Sequence, residues 1–305
     1  MNPSITIVIP VYNRADTVKA TLASVAGQTF RPLKVVLVDN NSSDGSLGVL
    51  QKWQTENMAD DFPVEVISEP TPGASAARNA GLRMVDTPWT MFFDSDDIML
   101  PCHVAKVMEV IEKHPDVDVV GNKFLLLRRN GQRRVIKFIN SDIIYDNIHQ
   151  SIFSTLLYCA RTEVFLRAGG WDESLSMGDD VELGSRILGL QPKIRTISGS
   201  PTVIVNESGD SISNSHNRTF ALIKALRKIQ TRLPERHRHW VDLQIIIQLA
   251  AFNRNDAEAA RLATEIIGST SPMLRRMVWK YLYRHTLRGR RGAARIYRLL
   301  SYFGI

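Results

Sequence analysis

The sequence predicts an α/β fold built on a parallel sheet with crossover helices, followed by a helical C-terminal region. Three observations carry that expectation. Apolar, β-branched runs alternate with helix-patterned segments through the first part of the chain, the order that predicts parallel strands joined by helices. Four of those runs end in polar or glycine-bearing loops, at Tyr12-Asn13, Asp39, the Gly73 loop and Asp94. That C-terminal edge is where open α/β sheets bind ligands. Near His216 the composition shifts to a helical pattern dense in arginine and sparse in acids, so the chain is expected to divide into 1–215 and 216–305.

Thr6-Ile7-Val8-Ile9 is a first strand, ended by Pro10. Residues 15–28 place Val18, Leu22 and Val25 on one helical face, with Asp16 near the N-terminus, where the macrodipole favours an acid. Residues 34–38 form the second strand, ending in Asp39, and Asn40-Asn41-Ser42-Ser43-Asp44-Gly45 supplies turn and cap residues before a helix through Leu50 and Trp53. A third strand at 64–67 and the Pro70-Thr71-Pro72-Gly73 loop lead to an alanine-rich helix over 74–84, and residues 90–93 are the central strand. After Pro101 a helix through Val104, Val107, Met108 and Ile111 precedes a strand at 117–120. Asn130-Gly131 marks a hairpin turn in a basic ribbon, Arg128-Arg129 to Arg133-Arg134, read as solvated. Helices over 162–167 and 179–188 and strands over 193–197 and 202–205 complete the first region.

At 305 residues the chain is long enough for a sizeable core, and its 44% apolar and 23% charged content is ordinary for a globular protein. The formal charge of +7 favours anionic partners: nucleic acid, acidic lipid or a phosphate-bearing substrate. Cys102 and Cys159 stand without a Cys-x-x-Cys or His/Cys cluster, which indicates neither a disulfide framework nor a zinc site and makes reduced, cytoplasmic thiols the expectation. Ile5–Val11 lacks a basic leader and is broken by Pro10, so it reads as a strand and not a secretory signal. The apolar stretch at 245–252 is too short to span a bilayer.

The most informative stretch is Met91-Phe92-Phe93-Asp94-Ser95-Asp96-Asp97, an apolar strand running into three carboxylates. Acids at the end of a core strand need a cation or a hydrogen-bonding ligand to hold them there. On an extended backbone Asp94 and Asp96 face the same way and Ser95 faces away, so the two carboxylates address one object. Hard oxygen donors in that pattern suit Mg2+ or Mn2+ shared with substrate phosphates. An acidic turn capping the next helix is the plainer alternative.

Taken together, Ile9-Pro10-Val11-Tyr12-Asn13, Val38-Asp39-Asn40-Asn41-Ser42-Ser43-Asp44-Gly45, Gly73-Ala74-Ser75-Ala76-Ala77-Arg78-Asn79-Ala80-Gly81, the Asp94 triplet and Gly170-Trp171-Asp172 followed by Asp179-Asp180 resemble family 2 glycosyltransferases. No one motif is specific; their order and spacing are. The resemblance covers residues 5 to about 213. It implies the GT-A fold, a Rossmann-like mixed sheet flanked by helices, and a nucleotide-diphospho-sugar donor with a lean to UDP. Asp39 matches the acid that accepts from the base, and Arg78 the basic residue beside the nucleotide. Pro10, Val11, Tyr12, Asn13 and Ser95 fall within the donor-binding motifs. Asp94 is implied near the ribose or sugar and Asp96 as the direct metal ligand; the resemblance leaves adjacent Asp97 without a firm role. Asp180 is implied as catalytic base, with Trp171, Asp172 and Asp179 on the acceptor side.

The chemistry agrees with that implication. Glycosyl transfer from a diphosphate needs a stabilised leaving group and a base for the acceptor hydroxyl, and adjacent Asp179 would push the pKa of Asp180 upward. Simpler roles stand beside these: Asp39 as a helix cap, Arg78 as a surface arginine, Asp179-Asp180 as an acidic first turn, Trp171 as core. Arg186 is read as an ion pair with Glu182, four residues earlier, in preference to a phosphate contact. Two departures matter. The family's second metal-binding histidine before a Ser-x-Ser is missing from Asn206-Glu207-Ser208-Gly209-Asp210-Ser211-Ile212-Ser213, leaving Glu207, Asp210 or His216 as substitutes. The Gln-x-x-Arg-Trp signature of processive polymerases is also missing, so one sugar per encounter is expected.

In the tail, Arg275, Arg276, Lys280, Arg284, Arg288, Arg290, Arg291, Arg295 and Arg298 interleave with leucines and aromatics, the pattern of interfacial binding to anionic lipid. Docking on the inner face of the cytoplasmic membrane, where a lipid-linked glycan acceptor would lie, and packing as a helical cap both fit. Two rival functions are a nucleotidyltransferase, which lacks its glycine-rich triphosphate loop at Pro10-Val11-Tyr12-Asn13-Arg14, and a non-catalytic nucleic-acid binder, disfavoured by the acid cluster.

Overall fold

The computed structural model describes residues 3–138, 142–207, 217–252, 256–270 and 273–289, with 292, 293 and 296. Asp210 and His216, two of the three residues weighed above as substitute metal ligands, and the tail arginines from Arg290 onward lie outside the described residues. The chain packs as two compact units, one of Met1–Asn140, Ile152–Ser174 and Asp179–Ser211, the other of Ser141–Ser151, Leu175–Gly178 and Ile212–Ile305.

The first unit begins with β1 (Ile5–Val11), α1 (Val18–Ala26), β2 (Lys34–Asp39), α2 (Ser46–Asn57), β3 (Val64–Ser68), α3 (Ala74–Arg83) and β4 (Trp89–Phe92). β1 and β2 are near-continuous apolar runs because both faces are covered by helices. The four strands are parallel in the order β4-β1-β2-β3, and the register Val11↔Asp39 and Asp39↔Ser68 brings their C-terminal ends to one edge. α3 rides close on this sheet. A Cβ on Gly81 would lie 2.3 Å from Val8 Cγ1 and 3.1 Å from Val38 Cγ2, so only glycine lets the helix, and Arg78 with it, come down onto β1 and β2.

The chain continues through β5 (Ile98–Met99), α4 (His103–Lys113), β6 (Val119–Gly121), β7 (Lys123–Leu127) and β8 (Arg133–Lys137). α5 (Ile143–Gln150) belongs to the second unit, and β9 (Tyr158–Arg161), α6 (Thr162–Ala168), α7 (Asp179–Gly189), β10 (Ile194–Thr196) and β11 (Val203–Asn206) return to the first. The main sheet runs β10-β6-β9-β4-β1-β2-β3, with β9 antiparallel to both neighbours. Alternation alone therefore predicts too regular a sheet: Tyr158-Cys159-Ala160-Arg161 is too short and mixed to announce a strand, and its place is set by pairing with Met91 and Val120. The basic ribbon is the expected hairpin, its outer strand β8 mostly exposed, and it joins β5 and β11 in a second sheet. The strand predicted over 202–205 thus lies outside the main sheet.

The second unit consists of α5 with α8 (Asn217–Arg232), α9 (Glu235–Phe252), α10 (Ala257–Ser269) and α11 (Met273–Leu287). α9 contacts the other four, and its sequence explains why: Trp240, Val241, Leu243, Ile245, Ile246, Leu249 and Ala250 are buried around its circumference, the mark of a central helix. Of the apolar stretch noted in the sequence, Ile245, Ile246, Leu249 and Ala250 are core. Asp142 and Asp256 cap α5 and α10 by accepting from Tyr145 N and Ala259 N. Among the described residues no helix is long and apolar enough to cross a membrane.

Candidate active site

The loops after β1 and β2 are tied together at the sheet edge. Asn13, with φ of 49°, donates its backbone N–H to Ser42 Oγ (3.0 Å) and accepts from Ser43 N at its side-chain oxygen (2.9 Å). Arg14 and Ala15 donate their N–H groups to Ser46 Oγ and Asp44 Oδ2. Asp39 Oδ2 accepts from Ser42 N (3.2 Å), the cap-like bond allowed for it, while buried Asp39 Oδ1 has no partner among the described residues. Behind it Asn40 accepts from Gly73 N (2.8 Å) and donates to the carbonyls of Glu69 and Thr71, fixing the loop that opens α3. Pro10 is half-buried, Val11 buried, and Tyr12 projects into solvent.

The acidic stretch departs from the extended conformation expected of it. The chain leaves β4 at Phe92 and turns at Ser95 and Asp96. The outcome for the side chains is nevertheless alternation: Asp94 and Asp96 stay partly open, and Ser95 and Asp97 are buried.

Arg78 organises the acids. Its buried guanidinium donates to Asp179 Oδ2 (3.0 Å) and Asp94 Oδ1 (3.4 Å) and stands 3.9 Å from Asp180 Oδ1. Ser75 Oγ donates to Asp179 Oδ2 (3.3 Å), and Thr155 Oγ1 to Asp94 Oδ1 (3.4 Å). Arg14 reaches Asp96 Oδ2 at 3.5 Å. Asp94, Arg78, Asp179 and Asp180, from three separate stretches of sequence, therefore meet. Strand spacing of roughly 4.8 Å puts the end of β2, with Asp39, on the order of 10 Å along the same edge from the end of β4. Asp172 accepts from Ser174 N and Oγ. Arg186 is in the expected ion pair, donating to buried Glu182 at 2.6 Å.

Trp171 is core by its ring and part of the site by its edge. The indole lies 3% exposed, stacked on Phe165 and edge-on to Phe92, while Nε1 donates to Asp180 Oδ1 (3.2 Å). Asn79 grips its backbone, accepting from Trp171 N (2.8 Å) and donating to Trp171 O (2.9 Å). Gly170 makes room for that grip: with φ of 66°, a Cβ there would lie 2.5 Å from Asn79 Oδ1.

Crowding sets the charges. Asp180 keeps 23% of its side chain open, yet burial of its carboxylate pushes its pKa up to about 7; Arg78 opposes the rise, and Asp179 and Asp94 add to it. For Arg78 burial works downward, but Asp180, Asp94 and Asp179 outweigh it and hold the guanidinium charged. Burial, then Asp94, raises Asp96 against the pull of Arg14. Asp97, buried beside both, is raised to about 8.

Among the described residues no three His, Cys, Asp or Glu side chains form a metal-holding group. Mg2+ and Mn2+ commonly take only one or two carboxylates, completing their shell with water and substrate phosphate. Asp94 and Asp96 fit that need: they are hard, partly open oxygen donors whose mutual repulsion a divalent cation would relieve.

A family model described as "Glycosyl transferase family 2" matches residues 6–168, which include Asp39, Arg78, Asp94 and Asp96. The chain belongs to glycosyltransferase family 2. Membership of that family is what the motifs favoured over a nucleotidyltransferase or a nucleic-acid binder. The glycosyltransferase is 35% identical over 189 residues to an uncharacterized glycosyltransferase of Haemophilus influenzae, a match spanning 60% of this chain and 62% of that protein, just under two thirds of its length. Its fold resembles that of S. aureus TarS 1-349 in complex with UDP-GlcNAc, with TM-score 0.68, 20% identity and coverage of 97% of this chain and 92% of that 1-349 chain. It also resembles the mannosyltransferase PcManGT of Pyrobaculum calidifontis in complex with GDP-Man and Mn2+, with TM-score 0.57, 17% identity and coverage of 98% and 88%. The mixed α/β sheet flanked by helices is the GT-A fold.

Sequence reasoning missed Thr155, Ser75 and Arg14 as partners of the acids and Asn79 as the clamp on Trp171. Ser75 and Asn79 lie inside the quoted Gly73 to Gly81 motif; Ser75 is one turn before Arg78, a spacing that was an available signal, and Asn79 follows Arg78 directly. Thr155 sits in a short 3-10 turn with no pattern around it.

Proposed function

We propose that this glycosyltransferase moves one sugar per encounter from a nucleotide-diphospho-sugar to a glycan or lipid-linked glycan in surface polysaccharide synthesis, with inversion at the anomeric carbon and with a divalent metal. The observation that carries the reading is the bridge made by Arg78 between Asp94 and the Asp179-Asp180 pair. It brings the donor-side acid and the proposed base within reach of a single guanidinium, so that both can act on one bound donor.

Asp39 Oδ1, buried and without a partner among the described residues, is the acceptor for an N–H of the base, with the lean to uridine supported by the UDP-GlcNAc complex of TarS. Pro10, Val11, Tyr12, Asn13 and Ser95 complete the donor side. Asp94 and Asp96 would hold Mn2+ or Mg2+, the ion in the PcManGT complex being Mn2+. Such a cation supplies charge neutralisation for the diphosphate leaving group. Asp180 takes the proton of the acceptor hydroxyl as it attacks, and a pKa near neutrality suits it to that transfer. Trp171 Nε1–H fixes the carboxylate's orientation, and Arg78 keeps Asp179 engaged so that Asp180 is left for the acceptor. Asp172 flanks the acceptor side. The catalytic region is assigned to 1–215, with 216–305 as a helical accessory.

The test is a panel of UDP- and GDP-sugars assayed for nucleotide release with and without acceptor glycans, with product configuration read by NMR. Asp180→Asn is expected to lower kcat by about 10²–10⁴ while nucleotide binding persists. A product with the donor's own anomeric configuration overturns the single displacement, and full activity in excess chelator overturns the metal.

A further inference from the structure

α11 packs by one face and leaves another that nothing described covers. Trp279, Leu282 and Thr286 are buried, and the helix contacts α9 and α10. On the opposite side Met273 is 73% exposed, Leu274 51%, Met277 59% and Tyr281 57%, nearly half of the large apolar side chains that the described surface exposes. Met273, Met277 and Tyr281 are spaced by four and form one ridge.

Beside that ridge runs a second. Arg276, Lys280, Arg284 and Arg288 are also spaced by four, all exposed, with Arg288 continuing the last turn through its N–H to Arg284 O (3.2 Å). The helix contains no acid. Among the described residues no carboxylate pairs with any of the four, and Arg276 alone has a partner, the Thr270 carbonyl at 3.0 Å. Like charges four apart destabilise a helix, so the ladder is held at a cost that an opposing anionic surface would remove. Compare α10, where Arg261 is answered by Glu265 at the same spacing.

We infer that this double ridge docks on an anionic lipid bilayer, the basic ladder at the phosphate layer and Met273, Met277 and Tyr281 in the boundary beneath it. Charge complementarity selects an anionic partner. The apolar ridge alongside selects a layered surface over a polyanion in water, which would leave those side chains solvated. The helix is already folded onto α9, so docking costs none of the ordering that a free amphipathic peptide must undergo. The inference rests on α11 alone, so failure of the transferase reading leaves it standing, and the reverse.

The experiment is flotation of the full chain with vesicles of equimolar phosphatidylglycerol and phosphatidylcholine, against pure phosphatidylcholine. The protein is expected to float with the anionic vesicles at low ionic strength and to be released by salt. The variant Arg276→Gln/Lys280→Gln/Arg284→Gln/Arg288→Gln should partition several-hundredfold more weakly, since each basic residue near an anionic surface contributes roughly fivefold. Met277→Ser/Tyr281→Ser should be released at lower salt than the parent. All six side chains are exposed, so unfolding temperatures should match the parent, and salt release of the parent is a readout that needs no variant. Equal flotation of parent and glutamine variant, or equal flotation on both vesicles, overturns the inference. So does displacement of the bound protein by single-stranded RNA with no effect of the serine substitutions, which would mark a polyanion site.

Discussion

Asp180 is a carboxylate whose neighbours pull in opposite directions, and that conflict has two measurable consequences. With its pKa raised from 3.8 to about 7, mainly by burial and against the pull of Arg78, the proposed base is protonated in the free protein below neutrality. The kcat/KM profile should therefore climb tenfold per pH unit up to about 7 and level off above it. The same shift bears on stability: the folded state holds a proton that the unfolded state has lost, so stability falls as pH rises from about 4 to about 7. Asp180→Asn should thus unfold at a higher temperature than the parent at pH 8 while being nearly inactive. The Trp171 hydrogen bond lowers the Asp180 pKa, and Asn79 holds Trp171 in place to make it. Trp171→Phe and Asn79→Ala should move the acid limb of the profile upward by up to about one pH unit, with kcat falling more than donor KM rises. A purely structural role for Asn79 would lower the unfolding temperature and leave that limb where it is.

Two glycines decide whether the elements carrying these residues can meet. Gly81→Ala drives a methyl against Val8, whose β-branched side chain in a buried strand has little freedom to yield. Overpacking of that kind costs about 1–3 kcal/mol, with about 2–4 °C of Tm per kcal/mol for a unit of this size. Gly170→Ala meets Asn79 Oδ1 with a positive φ besides, and should reduce activity even where thermal scans report a folded protein. The element scale is also where the limits of reading the chain are plain. β1, β2 and β4 are legible because strands buried on both faces are largely apolar runs between helices of clear period, and β3 because its short β-branched run stands between two helices. Their polar ends mark the site edge for the same reason: a carboxylate following Val38 or Phe93 has no place in a core. β9 is illegible, four residues whose conformation comes from Met91 and Val120 on either side. The bridging of acids by Arg78 is invisible for a like reason, since residues 78, 94 and 179 become neighbours only when α3 is docked on the sheet and α7 on α6.

Over the whole molecule the charge is +7, yet Asp94, Asp96, Asp97, Asp179 and Asp180 gather where, among the described residues, Arg78 and Arg14 are the cations that answer them. Excess acid in a basic protein makes the site a poor place for a nucleotide anion alone and, with a pair of open carboxylates and no third ligand among the described residues, a weak place for a cation alone. On the proposed reading each ligand would complete what the other lacks, the cation by screening the acids and the diphosphate by filling the metal's shell. Stability should register this as synergy. Mn2+ or UDP separately should shift the unfolding temperature little. Both at about 100 times their joint Kd should stabilise by about 2.7 kcal/mol, on the order of 5–10 °C. Asp96→Ala should abolish the joint shift and leave the small separate ones, because its loss takes away a ligand and leaves Arg14 uncompensated. Additive shifts, or a joint shift that survives in Asp96→Ala, would mean that metal and nucleotide occupy independent places, and the acidic turn after β4 would then be a turn and no more.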